Sequence, residues 1–313
     1  MSQSGTTLCI DPISGVEVYY APIRASRSNA FHQGGIEYPP DAFCPFCPGN
    51  EHETPPETWR WPVETGKSWQ QRMVPNRFPA VAVGSSTPAG GYHEVLIESA
   101  RHNDDWLTIP VEDLSRVFKV TADRLLCWKN DAAIKSFQVF KNVGRLAGAS
   151  LAHPHLQVMA LNHLPAQLAV EAKSERQWMA EQGQSYAAHL MEQMEKSQTL
   201  VHRADMFVSL CPPVSRFPYE VWLLPRNETP YLQLQQLEWI ELAHHMKHVL
   251  QRMQSVLGLF AHNIVWRLPP QSTSIGWRLE IIPRLTTWAG LELGSGMHVN
   301  PVLPEYAAGS LRG

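Results

Sequence analysis

Two short stretches hold residue types that could do chemistry. The first is His153-Pro154-His155-Leu156-Gln157. Side chains on an extended strand repeat every two residues, so His153, His155 and Gln157 share one face. A neutral imidazole, with an ordinary pKa of about 6.5, is a nucleophile at cellular pH. It can attack phosphorus and later leave, through a covalent phospho-histidine. Pro154 fixes φ between the two histidines and limits drift of the nucleophile. Just upstream, Asn142 to Ser150 carries Gly144 and Gly148 among small residues. Such a loop lets backbone N–H groups approach an anion, as phosphate sites require. An isolated His-x-His pair is more often two ordinary strand histidines, so the adjoining loop matters to the reading.

The second stretch is Cys44-Pro45-Phe46-Cys47. A redox C-x-x-C opens a helix after a strand, whereas Pro48-Gly49-Asn50 here breaks one. Two thiolates on a tight knuckle instead supply half of a tetrahedral zinc shell. His102 and His153 stand at strand ends that could bring them to the knuckle. The competing reading makes the cysteines plain turn residues and His102 a solvent-exposed loop histidine. His244, His245 and His248 cluster by helical spacing, but with no Cys or carboxylate partner such histidines are more often structural.

The elements that must position these residues follow a cycle. Tyr92 to Glu98 alternates as a strand. Val111 to Lys129 is helical, with Leu114, Val117, Phe118, Val120, Leu125 and Trp128 on its apolar face. Phe137 to Lys141 and His155 to Leu161 are strands flanking the glycine loop. The order then recurs: strand 219–225, helix 234–257, strand 263–268, a loop, and strand 277–282. A repeated unit of roughly 60–70 residues is a sign of internal duplication. Ala169 to Lys196 reads as a connecting helix pair, and residues 1–80 as strands and ordered loops. The fold class expected is α+β, two halves sharing a sheet surface.

Composition narrows the function classes. A chain of 313 residues favours two domains, or one built twice. Its formal net charge of −3 gives no basic excess for nucleic-acid backbone, so no nucleic acid is expected as partner. No apolar run nears the roughly 18 residues that cross a bilayer, and no leader opens the chain, so a cytoplasmic protein with no membrane partner is expected. Five cysteines, odd in number and scattered apart from one pair, argue against a disulfide scaffold.

Across residues 20 to about 307 the chain resembles the galactose-1-phosphate uridylyltransferase family of the histidine-triad superfamily. The resemblance rests on Cys44-Pro45-Phe46-Cys47-Pro48-Gly49-Asn50-Glu51, Thr54-Pro55-Pro56-Glu57, Val74-Pro75-Asn76-Arg77-Phe78-Pro79-Ala80, Gly91-Tyr92-His93-Glu94-Val95, Gly148-Ala149-Ser150 and His153-Pro154-His155. Glu280-Ile281-Ile282-Pro283-Arg284-Leu285 and Glu292-Leu293-Gly294 resemble its bacterial branch. It implies two histidine-triad-like halves: residues 1–165 with zinc knuckle and nucleophile, and 166–313, degenerate, on the acceptor side.

It further implies zinc on Cys44, Cys47, His102 and His153, with His155 as nucleophile and Gln157 bonded to the phosphoryl oxygens. Asn142, Gly148, Ala149 and Ser150 would line the phosphates, and Asn76, Arg77 and Phe78 would hold the nucleoside. Arg24 and Arg27 match a basic pair reaching phosphate from a partner subunit, which makes a homodimer the expected assembly. Glutamine at 157, where hydrolases of the superfamily carry histidine, hydrogen-bonds without titrating near pH 7 and so points to transfer over hydrolysis.

The partners implied are a nucleotide sugar and a sugar phosphate, in the chemistry of galactose metabolism. The second repeat lacks the family's His-x-His at its last strand. A second metal is therefore not expected, although Glu171 and Glu280 could keep part of such a site. Arg278 could meet a phosphate or form a structural ion pair, and His298 lies where the family contacts sugar or phosphate. The altered acceptor half keeps three alternatives open: an ADP-sugar or dinucleoside-polyphosphate phosphorylase, a nucleotide-binding protein that has lost turnover, and a histidine-triad hydrolase.

Overall fold

The computed structural model describes residues 6–26, 36, 43–63, 68–270 and 276–312. Its strands are β1 (Thr7–Ile10), β2 (Glu17–Tyr20), β3 (Trp59–Trp61), β4 (Gln71–Pro75), β5 (Ala82–Val83), β6 (Gly90–Ile97), β7 (Ser136–Val143), β8 (His155–Leu161), β9 (Leu200–Arg203), β10 (Phe207–Leu210), β11 (Val221–Pro225), β12 (His262–Arg267), β13 (Arg278–Pro283) and β14 (His298–Asn300). The helices are α1 (Val111–Lys129), α2 (Ala166–Gln182), α3 (Tyr186–Gln193), α4 (Gln236–Leu257), α5 (Gly290–Ser295) and α6 (Pro304–Arg312). Helix α1 and strand β8 occupy the spans expected from periodicity, and the connecting segment forms the helix pair α2 and α3.

One mainly antiparallel sheet runs through the molecule in the order β3-β4-β6-β8-β7-β12-β13-β11-β10-β9, with β5 parallel to β6. The duplication shows in that order. Reading outward from the centre, β7-β8-β6-β4 on one side matches β12-β13-β11-β10 on the other. The third element of each unit meets its counterpart in the middle, where Asn142 of β7 stands opposite Asn263 of β12. The fold is thus α+β with two histidine-triad-like halves. Residues 7–20 of the first half pair with the end of the second, because β14 lies parallel to β2 in a small sheet β1-β2-β14.

Alternation gives the main sheet two faces with different tasks. Leu96, Leu156, Val158, Val139, Ile264, Trp266, Leu279 and Leu223 point to the face covered by α1 and α4 and form the core with them. Helix α1 contributes Leu114, Val117, Phe118, Leu125 and Trp128 at three- and four-residue spacing. Its first turn carries Glu112 and Asp113 and its last Lys129, each favourable to the helix dipole. Helix α4 opens on a capping box in which the Gln235 N–H donates to Glu238 Oε2 at 2.7 Å. The opposite face presents His155, Gln157, Asn142 and Asn263 near the middle. Farther out, helix α3 packs Tyr186 and Leu190 on Trp222 and Leu224.

The core centres on Trp266, 1% exposed, with Trp106 and Phe118 each 6.1 Å away between ring centroids. Removing that ring leaves a void between both halves' helices and the shared sheet. Trp266→Ala is expected to lower unfolding free energy by about 3–5 kcal/mol in a denaturant titration. A loss below 1 kcal/mol would show that the halves do not share one core.

Candidate active site and metal cluster

The knuckle, His102 and His153 come together. The ligand atoms of Cys44, Cys47, His102 and His153 lie within 4.8 Å of one another. Cys47 Sγ is 3.4 Å from His102 Nδ1 and 3.6 Å from His153 Nδ1, and Cys44 Sγ is 3.7 Å from His153 Nδ1. Metal–ligand bonds of roughly 2.0–2.3 Å in a tetrahedron put neighbouring donors about 3.5 Å apart, so this donor set has the size a metal ion needs. The other ring nitrogen of His153 donates to the Ser99 carbonyl at 2.7 Å, which leaves Nδ1 as the lone-pair atom facing the cluster. Burial lowers the His153 pKa to about 4 and so favours the neutral, ligating imidazole. Burial also pushes the Cys44 thiol up to about 11, and a bound cation would favour its thiolate.

His153 in turn sets the next histidine. His155 Nδ1–H donates to the His153 carbonyl at 2.8 Å. A neutral imidazole has one N–H and one lone pair, so this bond leaves the lone pair on Nε2. Three bonds pin the surrounding backbone. The Glu98 N–H donates to the Pro154 carbonyl at 3.0 Å, Lys141 Nζ donates to the His155 carbonyl at 3.3 Å, and Lys141 Nζ meets Glu98 Oε2 at 2.6 Å in a buried ion pair. Burial lowers the His155 pKa to about 4, and the nearby Lys141 charge acts in the same direction. The ring is therefore neutral, oriented and 8% exposed.

His155 opens onto a cavity of 350 Å³ that Asn76, Arg77, Phe78, Ser150 and Gln157 also line. Asn76 Oδ1 accepts the Phe78 N–H at 2.8 Å, a turn that holds the Phe78 ring 81% exposed at the rim. Arg77 reaches back to the Glu53 carbonyl at 3.2 Å. Phe46, between the two cysteines, packs edge-on to His155 with ring centroids 5.4 Å apart. Sequence reasoning gave Phe46 and His93 no role. Only the central position of Phe46 in the knuckle, and the parity of His93 on β6, hinted at one.

Other expected residues stand elsewhere. Gly144 and Gly148 adopt φ +83° and +84°, a region that favours glycine. A Cβ on Gly144 would lie 2.8 Å from that of Ala261. Three of the loop's amides are bonded within the loop. The Ala147 and Ala149 N–H groups donate to the Gly144 carbonyl, and the Gly148 N–H donates to that of Arg145. Ser150 lines the cavity while Asn142, Gly148 and Ala149 are not among its lining residues, and Asn142 Oδ1 accepts a bond from Asn263 Nδ2 at 2.8 Å. Arg24 is exposed on the 3-10 turn Pro22–Ser26 and is not among the residues lining this cavity, and Arg27 lies outside the described residues.

Arg278 and His298 line a different cavity, of 370 Å³, in the second half. There Glu280 accepts from Arg216 at 2.7 Å, Arg278 at 2.8 Å and Arg267 at 3.3 Å. Glu171 lies 3.5 Å from Arg267 and 3.8 Å from Arg278. Arg278 forms these ion pairs while also lining the cavity. Glu171 and Glu280 serve arginines rather than a remnant metal site. Among the described residues, Cys44, Cys47, His102 and His153 form the one group placed to hold a metal.

The fold and site define a protein of histidine-triad-like halves, in which a Cys/His cluster anchors a His-x-His-x-Gln strand beside a cavity. Comparison with known proteins agrees. The profile of a domain of unknown function, the DUF4931 N-terminal domain, matches residues 81–164. ADP-glucose phosphorylase of Arabidopsis thaliana is 27% identical over 96% of this chain and 91% of its own. Galactose-1-phosphate uridylyltransferase of Thermotoga maritima is 28% identical over 71% of this chain and 74% of its own. The solved structure of the Arabidopsis thaliana ADP-glucose phosphorylase with bound ADP-glucose matches with a TM-score of 0.86 at 29% identity, covering 98% of this chain and 99% of that one. The proteins this chain resembles thus include an ADP-glucose phosphorylase and galactose-1-phosphate uridylyltransferases.

Two outcomes follow from the site and its neighbour cavity. The purified protein is expected to carry about one tightly held metal ion per chain, absent from Cys44→Ser/Cys47→Ser, as elemental analysis will show. Equal metal in both would remove the cluster's role. In the second cavity, burial alone would raise the Glu280 pKa, but Arg267, Arg216 and Arg278 hold it far below the carboxylate range. A depressed folded-state pKa gives stability that is complete above the unfolded value of about 4.5 and is lost as pH falls through the folded one. Glu280→Gln is expected to cost about 3–5 kcal/mol at pH 7, because it leaves buried arginines short of a partner. The gap between wild type and variant should narrow steadily in melts below pH 4, and a pH-independent gap would contradict this account.

Proposed function

We propose that the protein is a nucleotidylyltransferase that moves a nucleoside monophosphate from a nucleotide sugar to a phosphorylated acceptor through a covalent nucleotidyl-His155. The observation that carries this reading is the bond from His155 Nδ1–H to the His153 carbonyl, which leaves Nε2 free on a buried, neutral ring at the cavity. In the first half-reaction the Nε2 lone pair attacks the α-phosphorus. The Nε2–P bond forms, the bond from phosphorus to the bridging oxygen breaks, and a hexose 1-phosphate leaves with that oxygen. In the second, an acceptor phosphate oxygen attacks the same phosphorus and His155 departs with its lone pair restored.

Gln157 supplies hydrogen bonds to the phosphoryl oxygens and no proton, so water gains no general base from it. Asn76, Arg77 and Phe78 hold the nucleoside at the rim, and Ser150 faces the phosphates. Zinc fits the two thiolates and two imidazoles of the cluster, and would supply a closed four-ligand anchor for the knuckle and for His153. In a homodimer, Arg24 on its exposed turn reaches a neighbouring site.

Uridylyl transfer between hexose 1-phosphates is the principal reading. The match to ADP-glucose phosphorylase along nearly the whole length of both chains, in sequence and in fold, supports a second, in which the donor is ADP-glucose and the acceptor inorganic phosphate. The two are separated by offering UDP-glucose with galactose 1-phosphate and ADP-glucose with phosphate, and measuring exchange. An acid-labile nucleotide adduct is expected on wild type with one of these donors and at least about 1000-fold less on His155→Ala, the scale for losing a nucleophile. Equal labelling of both would overturn the covalent reading.

A further inference from the structure

The buried histidine on β6 has no part in the steps above, yet its bonds reach the site. His93 is 6% exposed and lies between the turn carrying Phe78 and the strand carrying Gln157. The backbone N–H of Ala80 donates to His93 Nδ1 at 3.1 Å. A backbone amide cannot exchange ends, so Nδ1 must hold a lone pair and the ring proton must sit on Nε2. Asn76 is held with its Oδ1 on the Phe78 N–H, so it turns its NH2 toward that Nε2 at 3.1 Å and cannot accept the ring proton, which leaves Gln157 as the acceptor. His93 Nε2 lies 2.8 Å from Gln157 Oε1. An N–H there demands an acceptor, so the carbonyl end of the Gln157 amide must face His93. Burial lowers the His93 pKa, in keeping with the neutral ring this pattern requires.

We propose that His93 is a positioning residue for nucleotidyl transfer: its Ala80-fixed tautomer holds the Gln157 amide with the NH2 end toward the phosphoryl group in the cavity. The inference rests on the transferase reading. Among the described residues the Gln157 NH2 has no protein acceptor, so both its N–H groups remain for a ligand. Were the amide reversed, its carbonyl oxygen would face the phosphoryl oxygens and repel them. Because the amide is free to turn about its last torsion, only its partner decides which end is presented. The turn that carries Phe78 also supplies the Ala80 N–H, so one short segment holds the rim and sets the tautomer.

The test measures single-turnover labelling of His155 with whichever of UDP-glucose or ADP-glucose labels the wild type. His93→Ala is expected to slow labelling roughly 10- to 100-fold, the range for losing a group that orients a reacting one. His93→Gln places an N–H near the former Nε2 and should restore most of the rate, whereas His93→Leu, filling similar space without a donor, should not. In a Gln157→Ala background, His93→Ala should add no further loss, since its effect passes through Gln157. Nitrogen-15 shifts of the wild-type ring should report protonation at Nε2. Protonation at Nδ1, an equal rate in His93→Leu, or losses that multiply in the double variant would each overturn the inference while leaving the transferase reading in place. Failure of the wild type to label with either sugar would instead overturn that reading, and this inference with it.

Discussion

The hydrogen bond from His155 Nδ1–H to the carbonyl of His153 decides which nitrogen of the ring is available, and most of the site's chemistry depends on it. It can form only while that carbonyl is held, and the side chain of the same residue lies in the Cys/His cluster. A side chain in the cluster at one position therefore orients an imidazole two residues later. The buried Lys141–Glu98 pair and the Glu98 N–H bond to Pro154 hold the strand's entry from the other side. Burial keeps the ring neutral, because a protonated imidazole would lose its hydration without gaining an anionic partner.

The two halves share a topology but use the same face of the sheet differently. In the first half that face holds neutral imidazoles, an amide and a cavity. In the second, Glu280 and Glu171 are interlaced with Arg216, Arg267 and Arg278, and the attraction is spent within the protein. Arg278 also stacks over the Trp222 ring at 4.0 Å, which covers its apolar side. With Glu220, which also pairs Arg216, three carboxylates meet three arginines and cross-link β12, β13, α2 and the segment before β11.

Much of this was legible in the sequence. The 3.6-residue period of α1, the alternation in β8 and the recurrence of the unit all rest on local rules, and the sheet order bears out the duplication. The knuckle and its two distant histidines were readable because so few residue types make a tetrahedral shell. Less legible was the glycine loop, where Gly144 and Gly148 in the positive-φ region form turns that bond three of its amides internally. Composition shows that such a loop could cradle an anion, but whether its N–H groups are free depends on where the chain turns.

The sequence by itself determined the residue types that can bind a metal, attack phosphorus or bury an apolar face, and the periods that place them on strands and helices. Tertiary structure alone decided that Arg278 pairs with carboxylates, that Phe46 packs on His155, and that His93 faces Gln157. The physical reason is that hydrogen bonds and ion pairs act over a few ångströms between residues far apart in the chain. A sequence lists donors and acceptors, but which of them meet, and in which tautomer, is set only once the strands are in register.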